Sequence, residues 1–157
     1  MPDTDTLYDR IVTLLRNEHI RFSESDHDAV FTSAQAAETR GTELRQGAKA
    51  ILCLADKNPI LIVISGKEKI DSKKFKSLFG IKDLRFATHD EVSEITGVAV
   101  GAVPPFGSLI GIKTYVDVSL SQNEKIAYNP GLHTKTIIML YEDYILAERP
   151  LLGDFSQ

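Results

Sequence analysis

Apolar residues recur along this chain at two periods. Leu7, Ile11, Leu14 and Leu15 stand at i, i+4, i+7 and i+8, one face of a helix. Arg21 to Ser25 reads as a short strand. Thr32 with Gln35 three residues on has the spacing of a capping box, and Gly41 ends the helix that follows near Arg40. Two apolar runs, Ala48 to Ala55 and Ile60 to Ser65, flank Asp56-Lys57-Asn58-Pro59 and predict a hairpin of buried strands. Asp71 can cap a helix that turns Phe75, Leu78 and Phe79 inward and stops at Gly80. Leu84 to Ala87 reads as a strand, and Thr88 to Gly97 as a helix with a capping box at Thr88 and Glu91. Further strands are predicted at Lys113 to Val118, Lys125 to Tyr128 and Lys135 to Tyr141, and a short helix from Glu142 to Glu148. Helices and strands mix without strict alternation, so the fold class expected is α+β with a mixed sheet.

Length and composition narrow the class. The 157 residues suit one domain, 1–157, that buries about 70% of its unfolded surface. Hydrophobic residues at 43% and charged residues at 25% give an ordinary globular balance. No apolar run approaches the roughly 18 residues of a membrane span, and the acidic start MPDTDTLYDR lacks the order of a secretory signal. Cys53 is the only cysteine, so no internal disulfide forms and a cytoplasmic location is expected. With four scattered histidines beside it, no metal site is expected. The net charge of −4 argues against a general nucleic-acid coat and against DNA as a partner. From Lys67 to Arg85, however, seven basic residues stand against three acidic ones, which leaves the remainder at −8. That patch is either a solvated helix face or a docking place for a polyanion.

Three features could carry chemistry. Gly97 to Gly111 holds four glycines and two prolines, and such a loop either turns the chain or aims rigid N–H groups at an anion or oxyanion. It matches neither a Walker loop nor a dinucleotide fingerprint. Lys49, the one charge in an apolar strand, either snorkels to solvent or holds a cation over a pocket. His27 and His133 are candidates for acid–base or binding work. Cys53, among Ile51, Leu52 and Leu54, reads as inert core, and no nucleophile elbow is present.

The order His27-Asp28-Ala29-Val30-Phe31-Thr32, then Gln46-Gly47-Ala48-Lys49, then Thr96-Gly97 and Gly101-Ala102-Val103-Pro104-Pro105-Phe106-Gly107 resembles the YbaK/prolyl-tRNA synthetase-associated domain family, over roughly Arg21 to Tyr144. The resemblance implies a mixed α/β sandwich around a strongly bent sheet, and hydrolysis of mischarged aminoacyl-tRNA without a cofactor. It makes Lys49 the family's essential lysine, and Gly101 and Pro105 the ends of its Gly-x-x-x-P loop. Where the Cys-tRNA deacylases carry a tyrosine two places before His27, this chain has Ser25. Catalysis is then expected from Lys49 and Gly101. Substrate contacts are expected from His27, Val30, Phe31, Ala102, Val103 and Pro105, with Asn129 or His133 as a pocket polar residue. Ile51 and Val63 are further wall candidates. Lys67, Lys69, Lys73, Lys74 and Lys76 would hold the tRNA acceptor end by its phosphates. A synthetase complex is a further partner the resemblance allows. The alternative is a module of the same fold that binds a tRNA end or an aminoacyl ligand without turnover.

Overall fold

The computed structural model describes residues 6–157, so the first five residues of the acidic start lie outside it. The opening stripe forms helix α1 (Leu7–Asn17), whose Leu7, Ile11, Val12 and Leu15 are buried. Strand β1 (Phe22–Asp26) follows, then α2 (Ser33–Arg40), capped by the Thr32 hydroxyl on Gln35 N–H and ended by Gly41 at φ 70°. The Gln35 side chain accepts from Phe31 N–H rather than from Thr32, so this cap is single-sided.

Strands β2 (Ala48–Ala55) and β3 (Asn58–Ser65) form the predicted hairpin, with a turn tighter than the sequence suggests. Asp56 and Lys57 alone make it, both at positive φ, and Pro59 sits inside β3 opposite Leu54. The Asp56 carboxylate accepts from Lys82 and Asp83 N–H, which helps hold a non-glycine residue in that conformation. Helix α3 (Ser72–Phe79), strand β4 (Leu84–Phe86), α4 (His89–Thr96), β5 (Lys113–Asp117), β6 (Lys125–Tyr128), β7 (Lys135–Leu140) and α5 (Tyr141–Glu148) complete the predicted set. Leu78 departs from expectation: it is exposed, because Phe75 and Phe79, four apart, form the packing edge of this short helix.

The class is the α+β expected. The single bent sheet is, in its hydrogen bonding, two ladders. One runs β1-β7-β6, antiparallel throughout. The other runs β4-β2-β3-β5 and ends on β8 (Leu151–Gly153), with β5 parallel to both its neighbours. The ladders touch at one bridge, Gly47 to Ala127. Alternation along β3 explains the layers: Leu61 and Val63 face a core shared with α1, α5 and the smaller sheet, whereas Ile60, Ile62 and Ile64 face Phe75 and Phe155.

Strand β8 was not visible in the sequence. Its first two residues are exposed, and it forms because the tail is tied down elsewhere. The buried Asp117 carboxylate accepts from Phe155 N–H at 2.7 Å, Ser156 N–H at 3.0 Å and Ser119 N–H at 3.0 Å. Burial pushes this carboxyl up, but those bonds outweigh it and hold it below the ordinary value. Its stabilisation is therefore present above the unfolded aspartate pKa and lost as pH falls through the lower folded value. Asp117→Ala is expected to lower stability by about 3 kcal/mol, because buried N–H donors lose a charged acceptor. Urea unfolding at pH 7 checks this. Asp117→Asn should also flatten the loss of stability on acidification, and an unchanged acid limb would contradict the assignment.

Candidate active site

A cavity of about 240 Å³ opens where α2, the start of β2, the loop after α4 and the residues after β6 meet. From Ala48 to Ile51 strand β2 is paired only with β3, since β4 covers Cys53 to Ala55 alone. The uncovered edge lines the cavity. Apolar walls come from Val30, Ala36, Ile51 and Val103.

Two cations reach this space. The Lys49 ammonium donates to the Glu68 carbonyl at 2.9 Å and keeps two further N–H donors. Burial, then the charge of Lys69, holds its pKa below the ordinary lysine value, with Glu68 acting the other way. Arg40, the last residue of α2, donates from Nε to Thr136 Oγ1 at 2.9 Å and from Nη2 to Asn129 Oδ1 at 2.8 Å. Burial lowers its pKa to about 10. Among the described residues no carboxylate lies within ion-pair distance of either cation.

The hydrogen bonds run on from Arg40 in both directions. Asn129 Nδ2 donates to the Gly101 carbonyl at 3.0 Å. On the other side Thr136 Oγ1 lies 2.7 Å from His27 Nε2, and His27 Nδ1 lies 2.8 Å from the Asp28 carbonyl. A carbonyl only accepts, so Nδ1 carries hydrogen and, in the neutral ring, Nε2 takes the Thr136 hydroxyl proton. His133 Nε2 likewise donates to the Val100 carbonyl at 3.0 Å. Two consecutive loop carbonyls, Val100 and Gly101, are thus gripped by side chains. The N–H groups of Gly101 and Val103 have no acceptor among the described residues. From behind, Tyr144 donates to the Pro105 carbonyl at 2.6 Å, and buried Glu148 accepts from Ser108 N–H at 3.1 Å and from Thr114. Burial raises the Glu148 pKa against those bonds.

The structure brings Lys49, Gly101, Val30, Phe31, Val103 and Asn129 around one cavity, together with Ile51. Val63 is instead fully buried in the core. Ala102 is buried beside a second cavity on the other side of the loop, and its N–H is used by the Ala99 carbonyl. Pro105 is buried and serves through its carbonyl. His133 lines the second cavity and stacks on the exposed Phe31 ring at 4.8 Å, while His27 stands behind Thr136. Lys67 and Lys69 are exposed on the turn that holds Lys49 through Glu68, and Lys73 and Lys74 are exposed on α3. Lys74 donates to the Ser156 carbonyl, and Lys76 lines a cavity beside Arg85. Arg40 and Thr136 were missed by the sequence reading. Their only sequence signals, a basic residue in a last helical turn and a threonine inside a strand, are common.

A cation-lined cleft beside a glycine loop with free N–H groups suits an anionic substrate, and among the described residues no His, Cys, Asp and Glu cluster that could hold a metal occurs. The chain belongs to the aminoacyl-tRNA editing domain family, whose model matches residues 27–146. It is an aminoacyl-tRNA deacylase, and mischarged tRNA is the class of substrate. It is 32% identical over 155 residues to the multifunctional Ser/Thr-tRNA deacylase ProXp-y of Escherichia coli, covering 96% of this chain and 93% of that protein. Over 89 residues it is 28% identical to the proline–tRNA ligase of Ligilactobacillus salivarius, of which it covers 16%. A solved structure described as a trans-editing enzyme for prolyl tRNA synthetase superposes with a TM-score of 0.82 at 25% identity, covering 99% of both chains. No helix among the described residues is long and apolar enough to cross a membrane.

Proposed function

We propose that the protein acts in trans, as one domain, to hydrolyse seryl or threonyl esters mischarged to tRNA, with proline tRNA the leading acceptor. The observation that carries this reading is the pair of cations, Lys49 and Arg40, that have no carboxylate partner among the described residues and line a cavity beside N–H groups of the Gly101 loop with no acceptor there. The name of the Escherichia coli relative supports the choice of amino acid.

In this reading Lys49 holds the phosphate that joins the last two nucleotides, using the N–H donors left by Glu68. The uncovered edge of β2 offers backbone carbonyls to the substrate's ammonium group. Water attacks the ester carbonyl carbon, and the oxyanion that forms is stabilised by the Gly101 N–H. The bond to the ribose oxygen then breaks, and the proton from water ends on that oxygen. An amino-acid ester of a ribose is already reactive, so positioning and oxyanion stabilisation suffice without a side-chain nucleophile.

Deacylation of Ser-, Thr-, Ala- and Cys-tRNA, each on its cognate tRNA and on proline tRNA, tests the reading. Selective hydrolysis of Ser and Thr esters is expected, and binding of all without turnover would establish the non-catalytic alternative. Lys67 and Lys69 stand nearest the proposed phosphate site. Replacing both with alanine is expected to raise KM with little change in kcat, and to lower the salt dependence of log KM by about one unit of slope per lysine. An unchanged slope would remove these lysines from the tRNA surface.

A further inference from the structure

The guanidinium of Arg40 has five N–H groups, and only two of them are used, by Thr136 and Asn129. No other acceptor for it occurs among the described residues, although the side chain is largely buried and lines the cavity. Its neighbours cannot satisfy the rest. Thr136 Oγ1 takes one bond from Arg40 and directs its proton to His27, and Asn129 has its oxygen on Arg40 and its amide on Gly101. The polar end of the cavity therefore presents donors, and the side chains of Val30, Ala36 and Val103 form apolar walls.

We propose that Arg40 is a specificity-determining residue that accepts a hydroxyl-bearing side chain by donating to its oxygen, and so favours seryl and threonyl groups over alanyl. The inference rests on the reading of the chain as a deacylase of hydroxy amino acid esters, and assigns the residue that reads the hydroxyl. Alanine would leave the buried donors without a partner, which is the stronger form of discrimination: a polar site rejects a substrate lacking the group it binds. Cysteine falls between the two, because a thiol sulfur is a weak acceptor. Burial lowers the arginine pKa to about 10, so the guanidinium is charged at neutral pH and an oxygen ligand meets a charge-assisted donor. The chain from Arg40 through Asn129 to the Gly101 carbonyl links this end of the cavity to the residue whose N–H is the proposed oxyanion donor.

The test compares kcat/KM for seryl, threonyl, cysteinyl and alanyl esters on one tRNA, for the unaltered protein, Arg40→Met and Arg40→Lys. The unaltered protein should prefer serine to alanine by at least about tenfold. Arg40→Met should collapse that ratio at least about tenfold, beyond any general loss from loosening Asn129. Arg40→Lys should restore part of it, since an ammonium donates but cannot bridge Thr136 and Asn129 together. Equal loss for all four esters would overturn the proposal and place a phosphate oxygen or a purely structural role at Arg40. A second measurement does not depend on the variants folding. Stable amides of 3′-amino-3′-deoxyadenosine with serine and with alanine are titrated into the unaltered protein. Tighter binding of the seryl amide is expected, and equal binding overturns the proposal. If no ester is hydrolysed, the deacylase reading fails instead, and the amide titration repeated on Arg40→Met still decides the role of Arg40, since a seryl preference that the variant keeps overturns the proposal.

Discussion

Lys49→Ala is expected to lower kcat/KM for deacylation by about 100- to 1,000-fold, the effect of removing one charge-assisted donor from a partly water-excluded site. Stability should change little. Among the described residues the Lys49 side chain bonds only to the Glu68 carbonyl, which water can take over at the cavity mouth. Lys49→Arg separates charge from geometry: it keeps the cation but adds bulk and a planar fork, and should recover binding more than turnover. The pH dependence has a definite sign. Burial and Lys69 hold the Lys49 pKa below the ordinary lysine value, so the ammonium is lost as pH rises through that lowered value. The enzymatic rate, corrected for the spontaneous reaction, should fall on the alkaline side, and Lys49→Arg should move that fall to higher pH. A Lys49→Ala protein within threefold of full activity would leave the glycine loop alone to carry the chemistry.

Gly101→Ala is the second large effect, and it acts on kcat. Gly101 has φ +87°, a conformation that costs an L residue about 1–2 kcal/mol. A Cβ there would also lie 3.2 Å from His133 Nε2, which is bonded to the Val100 carbonyl. The loop can relieve both only by turning the Gly101 peptide, whose N–H is the proposed oxyanion donor. Removing one such donor typically costs 100- to 1,000-fold in kcat. A loss of at least about 100-fold in kcat with near-normal KM is therefore expected from single-turnover and steady-state rates. The Gly101→Ala, His133→Ala double variant separates the two causes. It removes the close contact but keeps the positive φ, so little activity should return. Full recovery would make His133 packing, rather than peptide orientation, the reason for glycine.

The periodic elements were legible because each carries its own signal over a few residues. The stripe of α1, the caps Asp71 and Thr88, the glycine stops at Gly41, Gly80 and Gly97, and the twin apolar runs of β2 and β3 are local rules that the structure obeys. Lys49 stood out for the same reason, as a charge that breaks an apolar run, and Gly101 because its loop is rich in residues with special backbone freedom. The limits were equally physical. Strand β8 depends on distant partners: Asp117 captures the backbone N–H groups of Phe155 and Ser156, some forty residues away in sequence, and Asp71 and Lys69 pair with the tail's backbone. The turn at Asp56 and Lys57 is tight because that carboxylate finds the N–H groups of Lys82 and Asp83.

Within the site, tertiary structure decided which candidates share a cavity. Sequence order grouped Ala102 and Pro105 with Gly101, yet the loop's turn sends Ala102 to its far side and leaves Pro105 to be held by Tyr144. Arg40 and Thr136 are ordinary in sequence, 96 residues apart, and become one unit only when α2 ends against β7. Spacing and residue type were enough for the class of fold and most of its elements, and they marked Lys49 and the glycine loop as candidates. That Arg40 is largely buried, with no carboxylate within ion-pair distance among the described residues, emerges only from the folded arrangement. Burial and partner choice depend on what distant segments bring to the same few ångströms, and no local pattern records that.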